Sequence, residues 1–286
     1  MEERATGMKG IMIQGTASNV GKSILTTALC RLLTKRGFQI APFKSQNMSS
    51  HTVRLDDGRE IGISQYEQAE AAGRLIEPWM NPVLLKPLEN MQTEVFLLGE
   101  SQEVISGTGF NELYYEKALS IIQKSLAGAE KNSDLVIIEG AGSPVEMNLK
   151  NRDLANMAIA ELADIPVLLV ADIERGGIFA SVVGTLALLT EKERARVKGI
   201  IINKFIGNPA LFSDGITWLE NYTKLPVLGV IPYIDHQLEE EDSLGGVSRP
   251  EKRKLTSKEM EYEKLAAHLE ANLDIEELIE IMKGDS

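Results

Sequence analysis

A glycine-rich segment near the N-terminus has the residue types of a phosphate-binding turn. It follows an apolar run predicted as a strand and opens a predicted helix. In that setting, backbone N–H groups and the positive end of the helix face phosphate oxygens. We predict that Lys22 reaches the β- and γ-phosphates of a nucleotide and that Ser23 binds Mg²⁺. The expected nucleotide-binding residues are Gly15, Thr16, Ala17, Ser18, Asn19, Val20, Gly21, Lys22 and Ser23.

Two polar residues follow later apolar runs at positions where a strand would end. Glu139 ends the run Asp134–Ile138 and is followed by glycines. A carboxylate there can position Mg²⁺ beside the phosphates, although an ordinary strand-end carboxylate is the alternative. Asn203 follows the run Val197–Ile202. Its amide has the donor and acceptor to pair with adenine, but a turn-forming asparagine is nearly as good an interpretation.

The elements that must hold these residues alternate between apolar strands and amphipathic helices. This pattern predicts an α/β fold with a doubly wound, mostly parallel sheet. The glycine-rich turn after its first strand makes the P-loop NTPase type the expected version of that fold. Thr93–Gly99 is an additional strand candidate outside the alternation. The predicted strands are Gly10–Gln14, Gln39–Phe43, Asp134–Ile138, Ile165–Ala171, Val197–Ile202 and Pro226–Ile231. The predicted helices are Lys22–Arg36, Ser64–Arg74, Glu112–Ala127, Leu154–Leu162, Gly177–Leu189 and Ser213–Tyr222.

Composition and charge exclude several classes of protein. The chain has 286 residues, a hydrophobic content of 43% and a net charge of −12. The negative charge argues against nucleic-acid binding, because phosphate backbones would repel it. The single cysteine, Cys30, cannot form an internal disulfide or a cysteine-based zinc site. With neither a signal-peptide pattern nor a membrane-spanning apolar run, we expect a cytoplasmic protein without membrane contact.

The composition changes near residue 238, which suggests a domain boundary. We expect a P-loop domain over 1–238, a charged linker over 239–258 and a short helical tail over 259–286. In the tail, Tyr262, Leu265 and Leu269 recur at helical spacing. Asp274, with Glu277 three residues later, is similar to a capping box for a last short helix.

These motifs together resemble the dethiobiotin synthetase-like branch of P-loop proteins. Five residues separate Gly15 from Gly21, one more than in the usual P-loop, and Glu139 and Asn203 also fit that branch. Longer segments narrow the resemblance to the cobyric acid synthase family, over roughly residues 9–245. They are Ala41–Met48, Met80–Pro87, Glu139–Asn148, Asp153–Met157 and Asp172–Ser181.

The resemblance implies an ATP-dependent ligase of cobalamin synthesis. In that family, ATP phosphorylates a peripheral carboxylate of a corrinoid, and ammonia then displaces phosphate from the acyl phosphate. The substrate is adenosylcobyrinic acid a,c-diamide, which is amidated at its b, d, e and g carboxylates. The resemblance implies catalytic roles for Lys22, Lys44 and Glu139, and Mg²⁺ binding by Ser23 and Glu139. The implied corrinoid contacts are Gln46, Asn47, Asn148, Asp172 and Arg175.

The sequence alone also allows purely structural roles for some of these residues. Lys44 is also compatible with an ordinary surface lysine, and Asp172 with a structural ion pair to Arg175. Asp153 is compatible with a charge at the start of a helix.

The sequence departs from the family in one respect. The family carries a glutamine amidotransferase domain after the synthetase domain, and no such domain is recognisable here. We therefore expect ammonia to come from solution or from a separate glutaminase chain. The resemblance also implies a homodimer.

Three other functions remain alternatives. One is a different ATP-dependent carboxylate-activating enzyme of the dethiobiotin synthetase type. The second is a non-catalytic nucleotide-binding paralogue, and the third is a switch protein like the chromosome-partitioning ATPases. Those ATPases have a signature lysine where this chain has Ala17.

Overall fold

The computed structural model describes residues 8–106, 114–148, 150–239 and 255–284. Its strands, in chain order, are β1 (Gly10–Gly15), β2 (Ile40–Phe43), β3 (Gln46–Met48), β4 (Thr52–Arg54), β5 (Glu60–Gly62), β6 (Val83–Pro87), β7 (Gln92–Leu97), β8 (Glu100–Ser106), β9 (Leu135–Glu139), β10 (Val167–Asp172), β11 (Val197–Phe205) and β12 (Val227–Pro232). Its α-helices are α1 (Lys22–Lys35), α2 (Ile63–Ala71), α3 (Tyr115–Lys131), α4 (Met157–Leu162), α5 (Ile178–Leu188), α6 (Glu191–Arg196), α7 (Ser213–Thr223), α8 (Leu255–Glu270) and α9 (Ile275–Lys283).

A six-stranded sheet forms the centre of the molecule, in the order β12-β11-β10-β1-β9-β2. All of its neighbouring strands pair in parallel. Every residue of β1, β2 and β9 is buried, as expected for strands covered on both faces. The predicted doubly wound α/β fold is confirmed. Because the chain moves to opposite sides of β1, its carboxyl end is where ligands bind in such sheets.

A smaller sheet lies beside the main one, in the order β3-β6-β7-β8. The strand expected over Thr93–Gly99 is β7, which pairs antiparallel with β6 and β8. The sequence did not predict β3, β6 or β8. Two of the three residues of β3 are polar and those of β8 are mostly exposed, so neither has the apolar run of a buried strand.

The predicted helices match within a few residues, with one instructive difference. We predicted α4 to begin at Leu154, but it begins at Met157. Before it, the Asp153 carboxylate accepts hydrogen bonds from the backbone N–H groups of Ala155, Asn156 and Ala158. These bonds satisfy the free donors of the helix start, so Asp153 has the capping role that we left open. The expected start of α3, at Glu112, lies outside the described residues.

Helices cover both faces of the main sheet. One core contains α3, α4, α5 and the smaller sheet, and the other contains α1, α8 and α9. The C-terminal helices contact the phosphate-loop helix through ion pairs of Arg31 and Lys35 with Glu263, and of Arg36 with Glu270 and Glu276. They therefore pack on the helix that opens the predicted phosphate site.

The C-terminal helices meet the sheet at a glycine. A Cβ atom on Gly229 of β12 would lie 2.4 Å from the carbonyl oxygen of Asn272, so only glycine allows this approach. The side chain of Asp274 caps α9 by accepting from the N–H of Glu277, as the spacing predicted. Helix α8 begins at Leu255, inside the stretch 239–258 expected as a linker. Residues 240–254 of that stretch lie outside the described residues.

None of the helices in the described part of the chain is long and apolar enough to cross a membrane.

Candidate functional site

The loop after β1 folds around the side chain of Lys22. Its Nζ atom donates hydrogen bonds to the carbonyl oxygens of Ala17, at 3.0 Å, and Gly142, at 3.1 Å. Lys22 thus joins the loop after β1 to the loop after β9. The loop closes through Gly21, whose φ of +94° is unfavourable for any residue with a side chain. A Cβ atom there would also lie 2.2 Å from Nδ2 of Asn203.

A buried carboxylate, Glu139, is the centre of the polar cluster beside this loop. Only 1% of the residue is exposed. Its Oε1 accepts hydrogen bonds from Ser23 Oγ at 2.8 Å and Lys44 Nζ at 2.9 Å. Its Oε2 accepts a hydrogen bond from Gln68 Nε2 at 2.6 Å. The cluster joins residues from α1, β9, α2 and the loop after β2.

The electrostatics of this cluster keep Glu139 ionised. Burial by itself would raise the pKa of the Glu139 carboxyl group. The positive charge of Lys44 and the hydrogen bonds from Lys44, Ser23 and Gln68 outweigh that effect, so the pKa lies below its ordinary value. The pair therefore has a carboxylate and an ammonium ion in contact at neutral pH.

Backbone contacts fix the position of Lys44. Its N–H donates to the carbonyl oxygen of Met80 at 2.8 Å, and its own carbonyl oxygen accepts from Asn81 Nδ2 at 3.1 Å. Only 4% of Lys44 is exposed. The alternative of an ordinary surface lysine is therefore wrong, because its ammonium group is buried against Glu139.

Asn156 shapes the loop that follows Glu139. Its Nδ2 atom donates to the carbonyl oxygen of Ala141 at 2.7 Å. A Cβ atom on Gly140 would lie 2.4 Å from Asn156 Oδ1, so glycine is required for this close approach. The side chain of Asn156 thereby holds the loop whose carbonyl group at Gly142 contacts Lys22.

These groups border a cavity of about 310 Å³ at the carboxyl end of the sheet. Its size is at the lower end of that of small-molecule sites. Many of the residues expected to hold a nucleotide or to take part in catalysis line it, together with Asn47 from the expected corrinoid contacts. The lining residues are Ser18, Asn19, Gly21, Lys22, Ser23, Ile24, Lys44, Asn47, Met48, Glu139, Gly140, Ala141, Gly142, Lys204, His236 and Glu239.

A smaller apolar cavity, of about 90 Å³, adjoins the phosphate loop between α1, α8 and the end of β12. Asn203 and Gly21 are among its lining residues. The Nδ2 atom of Asn203 donates to the carbonyl oxygen of Val20 at 2.8 Å, so this amide supports the phosphate loop.

Comparison with known proteins now assigns the family. Residues 11–243 match the family model described as the CobQ/CobB/MinD/ParA nucleotide binding domain. The chain belongs to this family. The matched residues include the loop after β1, Lys44 and Glu139.

Curated relatives of this CobQ/CobB/MinD/ParA domain include cobyric acid synthases. The chain is 51% identical over 243 residues to the cobyric acid synthase of Microcystis aeruginosa, covering 85% of this chain and 50% of that protein. It is 50% identical over 238 residues to a probable cobyric acid synthase of Methanothermobacter thermautotrophicus, covering 82% and 47%. The chain thus spans about half the length of these relatives.

A solved structure gives a weaker likeness. The signal recognition particle receptor FtsY of Elizabethkingia anophelis matches with a TM-score of 0.46 and 16% identity, over 82% of this chain and 62% of that one.

Four expected corrinoid contacts do not line the larger cavity. Gln46 is half-buried on β3, and Asn148 and Arg175 are exposed on turns. Asp172 ends β10, where its Oδ2 lies 3.3 Å from the Nζ atom of Lys204. The structural pairing of Asp172 with Arg175 that we left open is therefore wrong, because Lys204 is the partner.

Sequence reasoning missed two residues of the site, Gln68 and Lys204. Gln68 contacts Glu139 from α2, a helix whose buried face includes Ser64, Gln65 and Glu67. Polar residues at core positions of an amphipathic helix were the available signal. Lys204 directly follows Asn203, and its signal was a position just after the predicted strand Val197–Ile202. In the structure it lies near the end of β11.

The donor set around Glu139 is suited to Mg²⁺. Ser23 Oγ and the Glu139 carboxylate are hard oxygen ligands beside the loop that faces phosphates. In the described parts of the chain, no group of three or more His, Cys, Asp or Glu residues forms a metal cluster. Nucleotide sites commonly hold Mg²⁺ by one or two protein oxygens together with phosphates and water.

Proposed function

We propose that this chain is an ATP-dependent amidoligase acting on the peripheral carboxylates of a corrinoid. The substrate would be adenosylcobyrinic acid a,c-diamide, amidated at its b, d, e and g carboxylates. The observation that carries this proposal is the buried Lys44–Glu139 pair beside the phosphate loop. Similarity to cobyric acid synthases over their nucleotide-binding half supports the substrate class.

The phosphate loop would bind the triphosphate of ATP. Backbone N–H groups between Gly15 and Ser23 face the phosphates, and the start of α1 adds positive potential. Lys22 would exchange its contacts with the carbonyl oxygens of Ala17 and Gly142 for oxygens of the β- and γ-phosphates. Ser23 and Glu139 would hold Mg²⁺, which when bound neutralises phosphate charge during transfer.

Lys44 would bring the acceptor carboxylate to the γ-phosphoryl group. A carboxylate and a triphosphate repel each other, and the ammonium group of Lys44 offsets that repulsion in a site with little water. An oxygen of the carboxylate attacks the γ-phosphorus, and the bond to the bridging oxygen of ADP breaks. The products are an acyl phosphate and ADP.

Amide formation then completes the reaction. The lone pair of ammonia attacks the carbonyl carbon of the acyl phosphate, the carbon–oxygen bond to phosphate breaks, and the nitrogen loses a proton. Glu139 would keep Lys44 protonated and in place throughout, because the two charges stabilise each other in the buried cluster.

Polar groups around the cavity would recognise the corrinoid. Asn47 lines the cavity, and its Nδ2 donates to Gln65 Oε1 at 3.1 Å, which orients the amide. Gln46, Asn148, Asp172 and Arg175 are the other proposed contacts to corrinoid amides and carboxylates. These four lie outside the cavity, so the proposal requires the large substrate to extend across the carboxyl edge of the sheet.

The nitrogen source and the assembly state are further parts of this proposal. Ammonia would come from solution or from a glutaminase in a separate chain. The protein would act in the cytoplasm as a homodimer.

A turnover assay with mass detection tests the proposed function. Purified protein receives ATP, Mg²⁺ and adenosylcobyrinic acid a,c-diamide, with ammonium in one sample and glutamine in another. We expect amidated corrinoid with ammonium, and none with glutamine unless a glutaminase is added. If ATP binds but neither sample forms an amide, the corrinoid assignment is wrong. Another carboxylate substrate or a non-catalytic nucleotide-binding role would then replace it.

A further inference from the structure

Lys204, near the carboxyl end of β11, contacts two different loops of the site. Its Nζ atom donates to the carbonyl oxygen of Asn19 at 2.6 Å and lies 3.3 Å from Oδ2 of Asp172. Asn19 belongs to the phosphate loop, whereas Asp172 begins the loop that leads into α5. The ammonium group therefore bridges the phosphate loop and the loop over residues 173–177.

The backbone around this bridge is held in an uncommon conformation. Lys204 and Asn19 both have a φ of 59°, in the left-handed region that side chains disfavour. Two bonds of Asn203 hold the junction, because its Nδ2 donates to Val20 O at 2.8 Å and its carbonyl oxygen accepts from Ile173 N–H at 3.1 Å. Such conformations persist where the surroundings enforce them, and they concentrate at ligand sites.

The bridge also lies where a nucleotide would contact it. Lys204 lines both the cavity of about 310 Å³ and the adjoining apolar cavity. Its side chain is 25% exposed, and that of Asp172 is 13% exposed, so the ion pair is only partly screened by water. A phosphate in the larger cavity would therefore interact with a charge that already joins the two loops.

We propose that Lys204 is a positioning residue that transmits nucleotide binding from the phosphate loop to the loop over 173–177. A nucleotide fixes the backbone at Asn19, Lys204 stays bonded to it, and Asp172 is held in turn. Asp172 Oδ1 accepts from the N–H of Glu174 at 2.7 Å, so the constraint continues into the loop that carries Arg175. The inference requires a nucleotide site and is independent of the acceptor that the enzyme uses.

Two substitutions and a control distinguish the contact of Lys204 with Asn19 from its ion pair with Asp172. Lys204→Met removes the contacts with both Asn19 and Asp172. Asp172→Asn removes only the ion pair, because an asparagine oxygen still accepts from the N–H of Glu174. Lys198→Met is the matched control, since Lys198 is exposed on the same strand at its opposite end.

Hydrogen exchange of the full-length chain, with and without ADP and Mg²⁺, measures the transmission. In the wild type and in Lys198→Met, we expect the nucleotide to slow exchange over 173–177 by about fivefold or more, the lower end of typical coupling between sites. In Asp172→Asn, the slowing is lost while calorimetry finds nucleotide affinity within about threefold of wild type, because Asp172 does not line the cavity beside the phosphate loop and Lys204 keeps its bond to Asn19. Lys204→Met loses the slowing and binds nucleotide about tenfold more weakly, as expected for loss of a charged hydrogen bond.

The comparison distinguishes transmission from a merely structural role. A purely structural role would lower the melting temperature and leave the nucleotide-dependent difference in exchange unchanged. If Lys204→Met does not fold, Asp172→Asn still decides the question. Absence of slowing in the wild type, or undiminished slowing in Asp172→Asn, would overturn the proposal. Since no corrinoid is present, failure of the proposed amidation reaction does not affect this result.

Discussion

The Nζ atom of Lys44 lies 2.9 Å from Oε1 of Glu139, and each residue is at least 96% buried, with exposures of 4% and 1%. Ser23, from the phosphate-loop helix, donates to the same carboxylate oxygen. A buried ion pair of this kind contributes little net stability compared with an apolar pair of the same size, although loss of one partner is costly. Its place beside the phosphate loop is therefore better explained by chemistry than by stability.

Replacement of Lys44 by methionine tests that explanation. The substitution keeps the length of the side chain and removes the charge that offsets repulsion between carboxylate and triphosphate. We expect kcat to fall by about 10²-fold or more, the usual cost of removing one preorganised electrostatic contact. ATP affinity measured by calorimetry should change little, because Lys22 and the loop backbone remain.

Lys124→Met, at an exposed position on α3, is the control for this substitution and should retain full turnover. Full turnover by Lys44→Met would remove Lys44 from the mechanism.

Removal of the carboxylate should affect both metal dependence and stability. Glu139→Gln leaves the ammonium group of Lys44 buried without its counter-charge, which costs about 3–5 kcal/mol for such pairs. The double variant Lys44→Met, Glu139→Gln should recover most of that loss in urea unfolding.

In single-turnover assays, Glu139→Gln should require a higher Mg²⁺ concentration for ATP hydrolysis. An unchanged Mg²⁺ dependence would show that another acid positions the metal.

The stability of the wild type and that of the double variant should also depend differently on pH. The folded-state pKa of Glu139 lies below its ordinary value of 4.5. Its ionised form therefore contributes stability above that value, and the contribution is lost as the pH falls through the folded-state pKa. Acid should destabilise the wild type more steeply than the double variant, as followed by the unfolding midpoint between pH 6 and 3.

The sequence predicted those site residues whose positions are tied to the end of a strand or to the loop after it. Lys44 follows β2, Glu139 ends β9, and Lys22 begins the helix after the loop of β1. The topology of a parallel sheet brings such positions to one edge. Gln68 lies inside a helix whose polar core positions indicate a buried polar face, but they do not indicate that this face packs against Glu139. Its role depends on a tertiary contact across 71 positions of the chain.

Some elements of the fold could likewise be predicted from the sequence, and others could not. The strands of the main sheet contain continuous apolar runs, so their sequence pattern differs from that of the helices between them. In the smaller sheet, β3 has three residues, of which Gln46 and Asn47 are polar, and it is recognised as a strand only through its pairing with Val83–Leu85. The residues of β8 are mostly exposed. The short helix α6 was also missed, although Thr190 and Glu193 form a reciprocal capping box at its start.

The buried carboxyl group of Glu67, on α2, should make the stability of the folded protein fall as the pH rises. Burial raises the pKa of Glu67 to about 8. The charge of Lys258 and a hydrogen bond from the backbone of Glu239 act in the opposite direction, while the charges of Glu239 and Glu70 add to the rise. Because the folded-state pKa is raised, the stabilisation by the protonated form is complete below pH 4.5 and is lost as the pH approaches about 8.

Glu67→Gln should remove this dependence, because the glutamine stays neutral. Between pH 5.5 and 7.5, we expect the wild type to lose about 1.4 kcal/mol per pH unit more than the variant, the value for one proton. Urea unfolding at several pH values checks the difference. Parallel pH profiles for the two proteins would contradict it.

The buried thiol of Cys30 gives a probe of folding that needs no substrate. Burial raises the pKa of this thiol, and the nearby carboxylate of Glu139 adds to the rise. Since the thiolate is the reactive form, we expect labelling by an aromatic disulfide reagent only through unfolding. Addition of ADP should slow labelling further by stabilising the folded state, and rapid labelling in native buffer would place the cysteine outside the core.

The central claim, that a substrate carboxylate accepts the γ-phosphoryl group in the site of Lys44 and Glu139, is tested most directly by isotope transfer. Adenosylcobyrinic acid a,c-diamide with ¹⁸O in its free carboxylates is incubated with the protein, ATP, Mg²⁺ and ammonium. The account predicts one ¹⁸O atom in inorganic phosphate for each amide formed, and loss of this transfer in Lys44→Met. Amide formation that leaves the phosphate unlabelled would contradict it.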